Sequence, residues 1–283
     1  MKNIKSLLRI SLLSLLPGIS AITVSAQEEQ TSSHALFGSL GLGNNMVYMG
    51  SSISGDKPYY YGGLTYGFRE QLYVSASSFH LSAFDPFLAF NTFGLTYSKT
   101  VNTWFDLSAG ISRYHVNSEL TDTLFSSFFY GDLTLGFDWK ILYTKLSTGG
   151  VFSESSGLYF QLRNSRYFQT PQFFNEKAYI SFDPNVNMLF GTLTETTTAD
   201  GTTTGVTQPF SPKKTSGRGS GTSTTTREFF SLMEVDLGIP VAFNMGRVTV
   251  EADPGFIIPL YSDTDPLNPK GFSFLLSCFV KIF

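Results

Sequence analysis

The sequence has a single cysteine, Cys278, so no internal disulfide can hold it. An exported domain of this size must then rely on burial or on closure of its own fold. Charge is scarce as well. Asp, Glu, Lys and Arg together supply 14% of 283 residues, with a formal net charge of -3, where soluble globular chains average about 25%. The mild acidity lacks the basic footprint of a nucleic-acid binder, and no nucleic-acid partner is expected. Long apolar runs are also missing. The stretch from Ile10 to Leu16 is broken by Pro17 and Gly18, far short of the ~20 residues a spanning helix needs. With a mean hydropathy near zero, a bundle of membrane helices is excluded.

What the chain has in abundance is aromatic residues and glycine, with Phe 28, Tyr 14 and Gly 26. Aromatics favour pleated, half-buried positions, and this much glycine weakens helices. At the N-terminus Lys2, Lys5 and Arg9 precede the short apolar stretch, and Val24-Ser25-Ala26 forms a small-residue cleavage site before Gln27. Residues 1–26 read as a cleaved secretory signal peptide, leaving 27–283 as one mature domain. No cysteine stands at the cleavage point, which argues against a lipid-anchored lipoprotein. Any contact with a membrane must therefore be made by strands.

The alternation supports that. From Phe129 through Gly131, Leu133, Leu135, Phe137 and Trp139 every second residue is apolar or glycine, against Tyr130, Asp132, Thr134, Gly136 and Asp138. This is a period of two. It recurs from Ala178 to Phe190, from Met233 to Met245 and from Val248 to Leu260, with shorter versions elsewhere. Runs of this length exceed an ordinary strand of ~5–6 residues and suit tilted strands that cross a bilayer. Strands are predicted at 35–43, 59–68, 71–80, 90–100, 103–115, 126–139, 141–152, 157–168, 178–191, 227–243, 247–261 and 272–283. They are joined alternately by tight turns and longer segments, as in outer-membrane barrels with short periplasmic turns. A bilayer offers no water to unpaired peptide groups, so the sheet must close. The expected fold is an all-β, closed antiparallel up-and-down transmembrane β-barrel of about twelve strands, with ten to fourteen as the range. Two connections, 153–157 and 169–177, reverse the long/short order. Pro184, Pro240, Pro254 and Pro259 fall inside predicted strands, and each is expected at a bulge or near a rim.

Several motifs are similar to those of uncharacterised outer-membrane β-barrel proteins of Bacteroidota. They are Gly94-Leu95-Thr96-Tyr97-Ser98, the run from Phe105 to Tyr114, Gly136 to Ile141, Gly238-Ile239-Pro240-Val241, Asn244-Met245-Gly246-Arg247 and Ile258-Pro259-Leu260. The resemblance implies the barrel and carries no known activity. The terminal Phe283 resembles the aromatic residue read by the outer-membrane assembly machinery, although Lys281 departs from that signal, which leaves open which face of the last strand meets lipid.

Parity places Asp106, Asp132, Asp138, Asp183, Glu234, Asp236, Glu251 and Asp253 on the non-lipid face, with Lys145, Arg163 and Arg247 as counter-charges. An acidic lumen would favour cations, but side chains that pair with one another are the simpler content of a narrow barrel. Glu234, Asp236, Glu251 and Asp253 lie on two strands joined by a tight turn and could face one another across that hairpin, where like charges repel. No metal-ligand loop, cofactor motif or nucleophile motif accompanies them. His80 and His115 end predicted upward strands and could reach the outer rim, yet neither has a catalytic motif beside it. Tyr59, Tyr60, Tyr61, Phe128, Phe129, Tyr167, Phe168, Phe229 and Phe230 cluster at strand ends, as interfacial girdles do. The Thr-, Gly- and Ser-rich segment 192–226 reads as a flexible external loop. The expected function is a narrow passive channel for a small solute, or a plugged structural barrel, in the outer membrane. Surface adhesion through 192–226 is the alternative, and an outer-membrane hydrolase a more distant one. No cofactor and no enzymatic activity are expected.

Overall fold

The computed structural model describes residues 33–152, 157–198, 203–207, 224–261 and 270–283; the predicted signal peptide lies outside them. Twelve antiparallel strands form the wall. They are β1 (His34–Gly43), β2 (Tyr59–Phe68), β3 (Leu72–Leu81), β4 (Phe90–Thr100), β5 (Phe105–Val116), β6 (Phe128–Asp138), β7 (Tyr143–Phe152) and β8 (Gly157–Ser165). Next come β9, in two segments (Ala178–Phe182 and Asn185–Thr198), and β10, also in two (Thr224–Gly238 and Val241–Met245). The last are β11 (Val248–Pro259) and β12 (Gly271–Lys281). Each strand pairs with its sequence neighbour, and β12 pairs with both β11 and β1, which closes the sheet. Among the described residues no helix is long and apolar enough to cross a membrane.

Closure leaves two ends. The longer connections 44–58, 82–89 and 117–127 share one end, the loop end. At the other, the turn end, lie the tight turns and both described termini, where the Leu36 N–H donates to the Phe283 oxygen at 3.1 Å. The 166–177 connection also lies there, so the long/short reversal read from the sequence is real. On β12 the outward face is the apolar one, with Phe272, Val280 and Ile282 exposed and Leu275, Ser277 and Phe279 buried inside.

The prolines explain why β9 and β10 are each broken. Pro184 separates the two segments of β9, and Pro240 those of β10. Pro254 sits midway along β11, opposite the break in β10. The three carbonyls still accept bonds, from the N–H groups of Arg166, Asp183 and Ile239, each at 3.1 Å. What the row lacks is donors, because proline has no N–H. At one position a side chain supplies the replacement. Asn185 Nδ2 donates to the Asp183 carbonyl at 3.0 Å, an acceptor facing the donorless Pro240. Pro259 ends β11, as a rim position requires. The uninterrupted strands expected over 178–191 and 227–243 are therefore corrected to segmented ones.

Two further expectations change. Most of the aromatic set splits by parity instead of forming one girdle. Tyr59, Tyr61 and Phe128 point inward and are buried, while Tyr60, Phe129, Phe168 and Phe230 are exposed on the outside; Phe229 packs against the interior cluster. The 192–226 segment is not all loop. β9 and β10 continue in register to Thr198 opposite Thr224, and Thr203–Thr207 adds a further strand against β9. Threonine is β-branched and favours strands, a propensity that its polarity conceals when composition alone is read. The rest of that segment lies outside the described residues.

Candidate functional site in the barrel interior

The interior has two zones. Towards the loop end it is apolar and filled. The first connection, 44–58, folds over and into the barrel as a short hairpin in which Val47–Tyr48 pairs with Ser51–Ser52. Met46, Val47, Tyr48, Met49 and Ile53 are each no more than 2% exposed. The Tyr48 ring lies 5.4 Å from Tyr114 and 6.2 Å from Phe128, centroid to centroid, and both of those residues point inward from the wall. Phe79 stacks on Phe90, and Tyr114 on Phe128, with centroids 4.5 Å apart in each pair. Hydrogen bonds tie the hairpin down. The Met46 N–H donates to Ser54 Oγ at 2.8 Å, Ser52 Oγ to Asn45 Oδ1 at 2.7 Å, and the Tyr261 hydroxyl to the Gly50 carbonyl at 3.1 Å.

The turn of this hairpin has positive φ at both Met49 (48°) and Gly50 (80°), the geometry of a two-residue turn whose twist matches a hairpin. Glycine suits it, but methionine there is strained. Such a residue persists where its surroundings over-determine it, here by burying the Met49 side chain. Full burial of each large apolar side chain contributes about 1.5–3 kcal/mol, and the several buried by this hairpin together outweigh the ~1–3 kcal/mol strain of one left-handed residue.

Towards the turn end the interior is polar. Asp106, Gly136, Lys145, Arg163, Asn187 and Asp236 stand directly opposite one another along one row from β5 to β10. The two cations lie mid-row with carboxylates on either side. The Tyr143 hydroxyl reaches both Asp106 oxygens, at 2.9 and 2.7 Å. Gly136 makes room for this contact, since a Cβ there would stand 2.2 Å from that hydroxyl. Lys145 Nζ lies 5.6 Å from the centre of the Tyr143 ring. Arg163 Nη2 pairs with Asp183 Oδ2 at 3.3 Å, and Asn187 Nδ2 donates to Asp236 Oδ2 at 2.8 Å. Asp132 Oδ2, Asn187 Oδ1, Glu234 Oε2 and Asp236 Oδ1 are buried with no protein hydrogen-bond partner among the described residues. Oxygens of this kind call for a proton, a cation or water.

The structure brings together most of the charges expected in the lumen, but not all. Arg247 is a correction: it sits in the exposed turn between β10 and β11, where Nη1 donates to the Ile282 carbonyl at 3.3 Å. Asp138 faces inward but caps a turn, accepting from the Lys140 N–H at 2.8 Å. The four acids do not face one another across the hairpin. Glu234 pairs with Pro259 and Asp236 with Ile257, whereas Glu251 pairs with Ala242. The tight turn at Gly246 and Arg247 sets this register and leaves Glu234 and Asp236 much farther from the turn than Glu251 and Asp253. The β9–β10 register shifts after Leu189, so Met233 is the extra residue, and both it and Glu234 are buried. No group of three or more His, Cys, Asp or Glu side chains among the described residues is arranged to hold a metal ion.

All three histidines lie on the outer side of the wall. His34 packs on Tyr66 and Phe68 at the turn end. His80 reaches the loop end as expected, stacked between Tyr60 and Phe87, and its Nδ1 lies 2.7 Å from the Phe87 carbonyl oxygen, not near a carboxylate. His115 is exposed at the same end. The residues that the sequence reading missed are those of the 44–58 hairpin, together with Tyr143 and Asn187. The available signal was a cluster of large apolar residues in a segment otherwise made of Ser, Gly, Asn, Asp, Lys and Pro.

No protein-family model matches the chain, and no curated protein matches it. Solved structures do share the shape. LpxR from Salmonella typhimurium is 5% identical over 86% of this chain and 99% of its own, with a TM-score of 0.47. A NanC porin is 7% identical over 88% and 100%, with a TM-score of 0.46. The outer-membrane protein Omp33 of Acinetobacter baumannii is 11% identical over 88% and 99%, with a TM-score of 0.40. The likeness is one of fold alone.

Proposed function

We propose that the chain is an outer-membrane β-barrel, exported by its signal peptide, whose lumen is closed at rest by its own first loop. Its exterior supports the membrane assignment. Leu40, Leu64, Val74, Phe93, Leu95, Ile111, Leu133 and Leu158 are exposed around the wall, more apolar surface than a soluble monomer presents. Trp104 and Trp139 are exposed at the turn end beside Phe137, where interfacial aromatics belong. The resemblance to Bacteroidota outer-membrane barrels accords with this reading. In this orientation the loop end is external and the turn end periplasmic.

The observation that carries closure is the burial of Met46, Tyr48, Met49 and Ile53 among the inward aromatics. Twelve strands make a narrow interior, and an apolar packed mouth offers an ion no hydration. Between a passive channel and a plugged barrel the geometry favours the plug, and the mixed-sign row beneath it favours structural pairing over cation selectivity. The chain is proposed to have no hydrolytic activity, since His80 is committed to a carbonyl and two rings. In planar bilayers the refolded mature protein is expected to be electrically silent, while replacing 46–54 by a short Gly-Ser link opens a steady current. Steady current through the unaltered protein would overturn the plug.

A second reading rests on the extended threonine ladder. β9 and β10 rise together beyond Leu193, and the strand Thr203–Thr207 widens them, an arrangement suited to display or adhesion. Loss of binding to host or matrix ligands on deletion of 199–223 would support it, and unchanged binding would exclude it.

A further inference from the structure

The donorless proline row has a counterpart on the outer surface. A groove of about 760 Å³ runs along it, floored by Pro184 and Pro254 and flanked by Phe168, Val186, Leu237, Ile239, Phe256 and Phe272. Those six flanking side chains are all exposed. The groove exists because the strand breaks interrupt the even packing of the wall. One end is charged. Arg166 lines the groove with its guanidinium 5.6 Å from the Phe168 ring, and its Nη1 donates to the Lys140 carbonyl at 2.6 Å. That bond belongs to the 139–142 turn, which also carries the exposed Trp139 and the exposed Lys140. A tryptophan marks the headgroup level of a bilayer. At this end, then, two cations stand at headgroup depth, with an apolar channel leading from them into the membrane.

We propose that this groove is a binding site for one anionic glycerophospholipid of the periplasmic leaflet, its acyl chain lying over Pro184 and Pro254 and its phosphate at Arg166 and Lys140. The occupant follows from charge and depth together. A neutral apolar molecule would leave the two cations unused, and a free phosphate would leave the groove unused. Arginine suits the phosphate because its planar fork presents several donors at once, and only one of these is spent on the Lys140 carbonyl. The inference rests on the membrane reading above, and the two can fail separately.

The test is native mass spectrometry of the detergent-solubilised mature protein titrated with phosphatidylglycerol and, separately, with phosphatidylcholine of the same chains. The unaltered protein is expected to retain one phosphatidylglycerol in preference to phosphatidylcholine, by about fivefold for each cation that reaches the phosphate. Arg166→Gln should remove most of that preference and Lys140→Asn part of it, asparagine being tolerated at the positive φ of that turn. Val186→Trp, which fills the groove, should lower retention of both lipids while leaving the preference between them. Heat-modifiable gel mobility confirms that each variant is a folded barrel. Equal retention of the two lipids, or a preference unchanged in Arg166→Gln, would overturn the site. So would full displacement by glycerol phosphate, which has no acyl chain. If instead the protein is recovered as a water-soluble monomer without detergent, the membrane reading itself has failed.

Discussion

Inside the wall, tyrosine and glycine recur as partners on neighbouring strands. Tyr61 stands opposite Gly41, Tyr59 opposite Gly43 and Tyr159 opposite Gly191. In each case a Cβ on the glycine would fall within 2.2 to 3.1 Å of an atom of a buried side chain, the tyrosine ring in the first two and Met233 Sδ first in the third. The ring lies flat over the glycine, covering backbone that would otherwise be bare, a cross-strand aromatic cover of the kind that repairs the weakness of glycine in sheets. Gly43→Val should therefore drive its side chain into the buried Tyr59 ring and cost about 1–3 kcal/mol, as overpacking does. Gly38→Ala, on the outer face with its nearest side-chain atom 3.8 Å away, should be close to neutral. Urea unfolding of both proteins from lipid vesicles, followed by tryptophan fluorescence, measures the difference; equal midpoints would refute the pairing. At this scale the sequence was half legible. Alternation groups the carboxylates of a strand on one face, because one wrong step would flip every side chain of that strand. It could not tell inward from outward aromatics at strand ends, since Tyr59, Tyr60 and Tyr61 are adjacent and only parity divides them.

Among the elements, strands were the most legible and the first loop the least. Strand positions follow from a local period of two, and nearly every predicted boundary lies within a few residues of the observed one. The 44–58 hairpin has no such period. What folds it inward is a cavity made by distant strands, a tertiary cause without a local signature. The bulge at Met233 depends on pairing in the same way. The register of β10 against β11 is set instead by the tight turn at Gly246 and Arg247, and it leaves apart the four acids that the sequence allowed to face one another. Burial of the hairpin has a chemical consequence. Thioethers oxidise according to their exposure, and Met46, Met49 and Met233 are at most 2% exposed while Met245 is 52% exposed. Mild peroxide treatment of the folded barrel should convert Met245 to its sulfoxide and spare the other three, as read by peptide mass spectrometry. Oxidation of Met46 and Met49 at the rate of Met245 would mean that the hairpin spends much of its time outside the barrel.

For the whole molecule, the decisive feature is closure, because twelve strands with apolar exteriors are tolerable in a bilayer only if no strand edge is left unpaired. β12 bears that duty twice, pairing along β11 from Val248 to Ile257 and along β1 from Phe37 to Gly43. Removing 271–283 would expose both edges at once, two long rows of unpaired N–H and C=O groups in hydrocarbon, each group costing several kcal/mol. No rearrangement of side chains can offset a sum of that size. The truncated chain is accordingly expected to lose insertion entirely, whereas a point change on the same strand, such as Cys278→Ser on its outer face, leaves the ladder intact and should lose little. Heat-modifiable mobility and protection from added protease, measured after folding into vesicles, separate the two outcomes. A truncated chain as well inserted as the full one would mean that the sheet does not need to close, and a barrel that does not need to close has no reason to turn its leucines and phenylalanines outward.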